Sequence, residues 1–128
     1  MIFASSHHVV AMYNKKPARA VADEAPPPIL GTDLPPRPDS LYAVSKVFGE
    51  ALGRYYSDTF GMQVACIRIG AVTEADSPLP HRSIFLWKRD AVAEKRMTAK
   101  WLSHRDLAAL IRAVLVSNVP FAVGLCGE

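Results

Sequence analysis

The feature that most constrains the fold of this chain is a long helical pattern that passes through a glycine into an apolar strand. Apolar residues recur at spacings of three and four after the potential caps Asp39 and Ser40; they are Leu41, Val44, Phe48, Leu52 and Tyr55. Gly61 is in the usual position to end such a helix. The next segment, 63–69, is nearly all apolar, which is typical of a strand buried on both faces. The pattern predicts half of a β-α-β unit.

Other segments extend this unit on both sides. Residues 2–4 are apolar and lead into small polar residues, which predicts the end of a buried strand. Ser103 and Asp106 have the spacing of a capping box, so a second helix is expected to begin there. Residues 119–125 predict a closing apolar strand. Because strands and helices alternate, we expect an α/β fold with a parallel sheet.

Two stretches interrupt this alternation. Residues 14–38 predict a long surface loop, since the prolines at 26–28 and at 35, 36 and 38 lack the amide donor that helices and central strands need. A loop of this length either borders a ligand site or is a plain extended linker. Residues 73–83 also predict a loop, and the basic amphipathic segment 84–100 fits no single structure.

The composition excludes several classes of protein. The chain has 128 residues, of which 50% are hydrophobic and 21% charged, so we expect one domain rather than a disordered tail, coiled coil or collagen-like fibre. No apolar run is long enough for a membrane span, and the first residues do not resemble a signal peptide. Cys66 and Cys126 lie far apart in apolar runs, which favours a reduced, cytoplasmic protein. The scattered charges, with a net of +3, favour a small anionic ligand over nucleic acid.

One pair of side chains suggests acid–base chemistry. Tyr42 and Lys46 are four residues apart, so they leave the same face of the predicted helix. An ammonium group near a phenol favours the phenolate, which can act as a base near neutral pH. Ser5 and Ser6 follow the first strand, where open α/β sheets bind ligands, and a hydroxyl there can donate to a substrate oxygen. The alternatives are a tyrosine beside a solvated lysine, and serines that only satisfy the end of a strand.

Other chemical motifs are not found in the sequence. The four histidines lack zinc-site spacing and no C-x-x-C accompanies them, so we expect no metal. A hydrolase nucleophile elbow and a nucleoside-triphosphate loop are both missing. The basic segment 88–100 also fits a helix that binds a membrane surface or a partner, but a single such helix without a lipidation motif is weak evidence.

The order of these motifs resembles the extended short-chain dehydrogenase/reductase family, and more narrowly its NAD-dependent epimerase/dehydratase group. The resemblance rests on four segments, which are 3–6, 37–40, 41–46 and 64–70. Three further segments look most like the uronate dehydrogenase branch of that group: 6–8, 96–97 and 101–106. The resemblance covers residues 2–125 and implies a Rossmann-type, doubly wound parallel sheet.

The resemblance implies roles at the cofactor and the reacting bond. Tyr42 would be the general base that takes the hydroxyl proton while a hydride passes to NAD. Lys46 would hold the nicotinamide ribose and stabilise the phenolate, and Ile69 would contact the cofactor. Ser6, with Ser5 as the alternative, would hydrogen bond the reacting oxygen.

The resemblance also implies how a substrate is held. His7 occupies a position that contacts substrate in the uronate branch, and Arg96 would clamp a sugar-acid carboxylate with its guanidinium fork. The alternative for Arg96 is a solvated member of a basic run. Segment 73–100 would lie on the substrate side, and 81–95 resembles an insertion. A sugar acid or a related hydroxy-sugar is the expected substrate, and a nucleotide sugar for an epimerase or dehydratase is the alternative.

The chain departs from the family at its most specific motif. The seven glycines, at 31, 49, 53, 61, 70, 124 and 127, never have the spacing of the phosphate-binding fingerprint. We therefore expect residues 1–128 to form a single partial domain, the C-terminal catalytic half, without the nucleotide-binding half. Either the sequence is a fragment, or a partner chain supplies that half, or the chain has lost the activity; a homo-oligomer is the other partner considered. The alternative is a non-catalytic module that binds a partner through an exposed sheet edge.

Overall fold

The computed structural model describes residues 1–14, 31–78 and 97–126. Its main elements, in chain order, are β1 (Ile2–Ser6), α1 (Leu41–Phe60), β2 (Val64–Ile69), α2 (His104–Val116) and β3 (Phe121–Cys126). Two short 3₁₀ helices, His7–Val9 and Ala11–Asn14, follow β1 directly.

The three strands form one parallel sheet in the order β1-β2-β3, which confirms the predicted α/β fold. The central strand β2 is buried at Val64 and over 66–68, as its apolar sequence predicts. Ser6 pairs with Ile69, and Ile69 pairs with Cys126. These three residues end their strands at one side of the sheet, which we call the carboxyl edge and where α/β proteins bind ligands.

Helix α1 begins and ends as the sequence predicts. Of the two candidate caps, Ser40 is the N-cap, and its Oγ accepts a hydrogen bond of 3.2 Å from the amide of Ala43. Gly61 ends the helix with a φ of 66°, a left-handed backbone conformation that residues other than glycine adopt only at a cost in free energy. The helix therefore starts close to the carboxyl edge and returns the chain to the start of β2.

The apolar residues that predict α1 do not face the sheet. Leu41, Val44, Phe48, Leu52 and Tyr55 are 44–88% exposed. The buried side of the helix carries small or polar residues instead, namely Ala43, Glu50, Gly53 and Ser57. At Gly49 a β-carbon would overlap the ring of Phe3, and at Gly53 it would crowd the Val64 side chain. Small residues thus let α1 approach the sheet closely.

Helix α2 begins at the predicted capping box, where Ser103 Oγ accepts from the amide of Asp106 at 3.0 Å. Val64 faces α1, so its neighbour Ala65 faces the opposite side of the sheet because side chains alternate along a strand. A shallow hollow on that opposite side is lined in part by Ala65, Ala122, Val114 and Leu115. Val114 and Leu115 of α2 thus line a hollow together with residues of the sheet, and no residue of α2 is buried.

Parts of the expected loops lie outside the described residues. Residues 31–38 contain no helix or strand, whereas 15–30 and 79–96 are not described. The single-domain boundaries, the loop 14–38 and the substrate-side segment 73–100 therefore stay predictions. Within the described ranges, no helix is long and apolar enough to cross a membrane, and no cluster of His, Cys, Asp and Glu side chains could hold a metal ion.

Candidate active site at the carboxyl edge

The predicted pair on α1 lies against β1. Lys46 Nζ donates a hydrogen bond of 2.8 Å to the carbonyl oxygen of Ala4. The same Nζ lies 5.5 Å from the ring centre of Tyr42 and 5.3 Å from that of Phe3. Tyr42 is 55% exposed, so its phenol is accessible to a ligand while the ammonium beside it is fixed to the strand.

The two serines at the end of β1 have different surroundings. Ser5 Oγ donates to Glu50 Oε1 at 2.6 Å, and both residues are buried. Ser6 Oγ accepts from the amide of His8 at 3.3 Å, and its hydroxyl hydrogen has no acceptor among the described residues. Only Ser6 therefore keeps a proton that it can donate to a ligand, which favours Ser6 over Ser5.

His7 presents an unused acceptor at the same edge. Its Nδ1 lies 3.3 Å from the carbonyl oxygen of Ile69; because a carbonyl only accepts, Nδ1 carries the hydrogen and Nε2 is left as an acceptor. His7 Nε2 is buried without a partner in the described parts of the chain. Burial, followed by the charges of Lys100 and His8, lowers the pKa of His7 from 6.5 to about 4. A neutral imidazole in this state can accept a hydrogen bond from a hydroxyl group.

Acidification is expected to destabilise the protein through His7. The unfolded chain binds a proton at His7 below pH 6.5, but the folded chain binds it only near pH 4. The resulting loss in the free energy of unfolding is absent above pH 6.5 and fully developed below about pH 4. It amounts to about 1 to 3 kcal/mol after allowance for the partial exposure of His7. Urea unfolding from pH 7.5 to 4 should show this loss in the wild type and much less of it in His7→Gln. Parallel losses in the two proteins would show that His7 is not its source.

A second histidine lies beside Tyr42. His8 Nδ1 is 3.0 Å from each carboxylate oxygen of Asp39, and the Asp39 side chain is only 8% exposed. The ring centres of His8 and Tyr42 are 6.2 Å apart in an edge-on arrangement. From the sequence, Asp39 is recognisable only as a candidate helix cap, because 31 residues separate it from His8 and no local spacing connects them.

A buried ion pair that was not predicted from the sequence joins α1 and β2. Arg68 Nε donates to Glu50 Oε1 at 2.9 Å, and Arg68 Nη2 donates to Glu50 Oε2 at 2.8 Å. The two side chains are 3% and 9% exposed. One signal was available in the sequence: Arg68 interrupts an otherwise apolar strand, and a buried arginine needs an acidic partner.

Two predicted site residues, Ile69 and Arg96, have roles that the described structure does not test. Ile69 ends β2 at the carboxyl edge, and its carbonyl oxygen accepts from His7; its contact with a cofactor stays a prediction. Arg96 lies outside the described residues, as does segment 81–95. The structure thus brings Tyr42, Lys46 and the end of β1 together.

Comparison with known proteins relates the chain to one enzyme family. The sequence profile described as the NAD dependent epimerase/dehydratase family matches residues 1–118. L-arabinose 1-dehydrogenase (NAD(P)(+)) of Haloferax volcanii is 39% identical over 127 residues, which cover 94% of this chain and 46% of that enzyme. Uronate dehydrogenase of Agrobacterium fabrum is 39% identical over 119 residues, which cover 93% of this chain and 35% of that enzyme.

Solved structures show the same relation. The crystal structure of uronate dehydrogenase from Agrobacterium tumefaciens has a TM-score of 0.62 and 34% identity, and the match covers 97% of this chain and 38% of that one. A mutant of that enzyme in complex with NAD has a TM-score of 0.63 at 33% identity, with the same coverages. Glucuronic acid dehydrogenase from Chromohalobacter salexigens gives 0.65 at 29% identity, over 96% of this chain and 37% of that one.

The matches cover only part of each related protein. The chain spans less than half the length of each of these relatives, which agrees with the expectation that it corresponds to only part of such an enzyme. The parallel sheet matches part of a Rossmann-like fold, which confirms the predicted fold class.

Proposed function

The chain belongs to the NAD dependent epimerase/dehydratase family, and we propose that it carries the catalytic groups of an NAD-dependent dehydrogenase that oxidises a hydroxyl of a sugar acid. One observation carries the proposal: Lys46 is fixed to Ala4 of β1 with its ammonium beside the exposed phenol of Tyr42. This arrangement brings a positive charge next to a group that can take a proton, at the edge where this fold class binds ligands.

Each residue has a distinct part in the proposed reaction. Ser6 donates its free hydroxyl hydrogen to the reacting oxygen of the substrate and orients it. The Tyr42 phenolate takes the proton from that oxygen, and the Lys46 ammonium stabilises the phenolate by its charge. The chemistry that NAD would supply when bound is a hydride acceptor for the carbon that carries this oxygen.

The residues at the carboxyl edge fit one end of NAD. The Lys46 ammonium has three donors, of which Ala4 takes one, so the others can hold ribose hydroxyls beside Tyr42. Ile69 would border the same end of the cofactor. No glycine fingerprint for the pyrophosphate occurs in the 128 residues. The chain therefore fits the nicotinamide ribose, and another polypeptide segment would have to bind the pyrophosphate.

The names of several relatives support a sugar acid as substrate, and the chemistry of His7 fits a hydroxyl group of a sugar. Several matches are uronate dehydrogenases, among them proteins from Agrobacterium fabrum and Pseudomonas syringae pv. tomato. The unused His7 Nε2 accepts a hydrogen bond from a sugar hydroxyl, a group that sugar acids carry at several carbons. Arg96 would bind the carboxylate, since a guanidinium fork matches its two oxygens.

A substrate panel tests the proposed function. The chain is assayed alone and in an assembly with a separately supplied glycine-fingerprint half, and NADH formation is followed with free glucuronate, L-arabinose, glucose 6-phosphate and a nucleotide sugar. We expect NADH from the uronate in the assembly. Turnover of the nucleotide sugar but not of the uronate would instead favour an epimerase or dehydratase. No turnover of any substrate would favour a non-catalytic module.

A further inference from the structure

The strongest feature that the proposed reaction leaves unused is the buried network around Glu50. Its carboxylate receives three hydrogen bonds, one from Ser5 of β1 and two from Arg68 of β2. We propose that Glu50 and Arg68 are positioning residues, which fix α1 on the sheet so that Tyr42 stands correctly at the carboxyl edge. The consequence for catalysis rests on the proposed function, whereas the positioning itself does not.

The spacing along α1 connects this network to the catalytic pair. Tyr42, Lys46 and Glu50 are each four residues apart, so they lie on one face of the helix. Lys46 is bonded to Ala4, and Glu50, one turn further along, is bonded to Ser5. Two successive turns of α1 are thus tied to two successive residues of β1, and Tyr42 occupies the turn before them.

The apolar contacts of α1 are poorly suited to fix its register. Most of its large apolar side chains are exposed, apart from Val47, which is partly buried against Val9 and Val10, and its fully buried residues are small or polar. Small residues allow close approach, but they form a shallow surface with few ridges that oppose sliding or rotation. The packing of Phe3 against Gly49 fixes one point. The two-pronged contact of Arg68 with Glu50 restricts both distance and rotation, because both of its hydrogen bonds must be kept.

The energetics of the Glu50–Arg68 ion pair also indicate that it orients α1 more than it stabilises the fold. A buried ion pair often stabilises a fold no more than apolar residues of similar size would, because both charges lose their hydration. In addition, Arg68 Nη1 is buried and has no hydrogen-bond partner in the described residues. A pair with this cost is better explained by the orientation that it imposes.

A paired substitution separates positioning from stability. Glu50→Met combined with Arg68→Met removes both charges at similar volume, so neither charge is left unpaired. NMR spectra of the 128-residue chain should then show shifted Tyr42 ring resonances and a weakened NOE between the rings of Tyr42 and His8, with far-UV circular dichroism unchanged. In the assembly, kcat should fall by about tenfold or more. The matched control is Asp58→Asn, which breaks an exposed ion pair on the same helix and leaves Arg54 over the ring of Phe121; it should change none of these readouts.

The outcomes distinguish the possible failures. A folded Glu50→Met/Arg68→Met protein with unchanged Tyr42 signals would overturn the proposal. If that protein does not fold, Ser5→Ala provides the test, since it removes one hydrogen bond from Glu50 and leaves the ion pair. We expect a small shift of the Tyr42 signals in Ser5→Ala that is reversed in Ser5→Thr. The absence of any shift in Ser5→Ala would overturn the proposal. The NMR readout needs no cofactor, so it stands even if Tyr42→Phe leaves turnover intact and the proposed function fails.

Discussion

Tyr42→Phe is expected to lower turnover in the assembled enzyme by about a hundredfold to ten-thousandfold, the usual effect of removing a general base. The substitution deletes one oxygen and leaves the ring beside Lys46 and His8. Because Tyr42 is 55% exposed, the stability of the fold should not change. The measurement is the rate of NADH formation with free uronate, together with circular dichroism of the variant.

Tyr56→Phe is the matched control for this prediction. Tyr56 lies on the same helix, is 40% exposed and has no place in the proposed reaction, so its loss should leave turnover within about twofold of wild type. The assignment of Tyr42 as the base would be wrong if both variants retained wild-type turnover. A general loss in both would indicate damage to α1 instead.

Glu50→Gln is expected to destabilise the protein by about 3 to 5 kcal/mol, since it leaves the buried Arg68 guanidinium without a counter-charge. Glutamine has nearly the same shape as glutamate and can still accept at one oxygen, so the effect reports mainly on the lost charge. Arg68 is 3% exposed, and water therefore cannot replace the missing carboxylate. The measurement is the free energy of unfolding from urea titration at neutral pH.

An exposed ion pair on the same helix provides the comparison. Arg54 Nε lies 2.7 Å from Asp58 Oδ2, but both side chains are more than half exposed. Asp58→Asn should therefore change stability by about 0.5 kcal/mol or less. If Glu50→Gln cost as little as Asp58→Asn, the Glu50–Arg68 pair would be solvated in solution and would not be the buried contact described above.

The sequence predicted those elements whose signals are local. Ser40 and Gly61 at the ends of α1, and the capping box at Ser103, act through residues within one turn, so the chain sequence shows them directly. Strand β2 was recognisable because a parallel strand covered on both faces needs apolar residues at nearly every position. The alternation of these elements was enough to predict a parallel sheet.

The orientation of α1 was not predictable from its apolar pattern. That pattern predicted a helix correctly, but the side that packs on the sheet is chosen by close approach at Gly49 and Gly53 and by the partners of Glu50. These contacts join residues on different elements, and no local spacing shows them. The spacing of the apolar residues therefore predicts a helix but does not show which side of α1 packs on the sheet.

The candidate site was predictable to a similar extent. The spacing of Tyr42 and Lys46 fixed their shared helix face, and the end of β1 fixed the neighbourhood of Ser5 and Ser6. The preference between the two serines required the structure, because it depends on Glu50 occupying the Ser5 hydroxyl. The acceptor state of His7 likewise depends on the Ile69 carbonyl, which lies 62 residues away in the chain.

The most direct test of a nicotinamide site at the carboxyl edge is a calorimetric titration of the assembled protein with NAD⁺, compared between wild type and Lys46→Met. If Lys46 holds the nicotinamide ribose, the wild type should bind saturably and Lys46→Met should bind about tenfold more weakly or worse, with Tyr56→Phe unchanged. Equal affinities of wild type and Lys46→Met, or no binding up to millimolar NAD⁺, would contradict a nicotinamide site at the carboxyl edge.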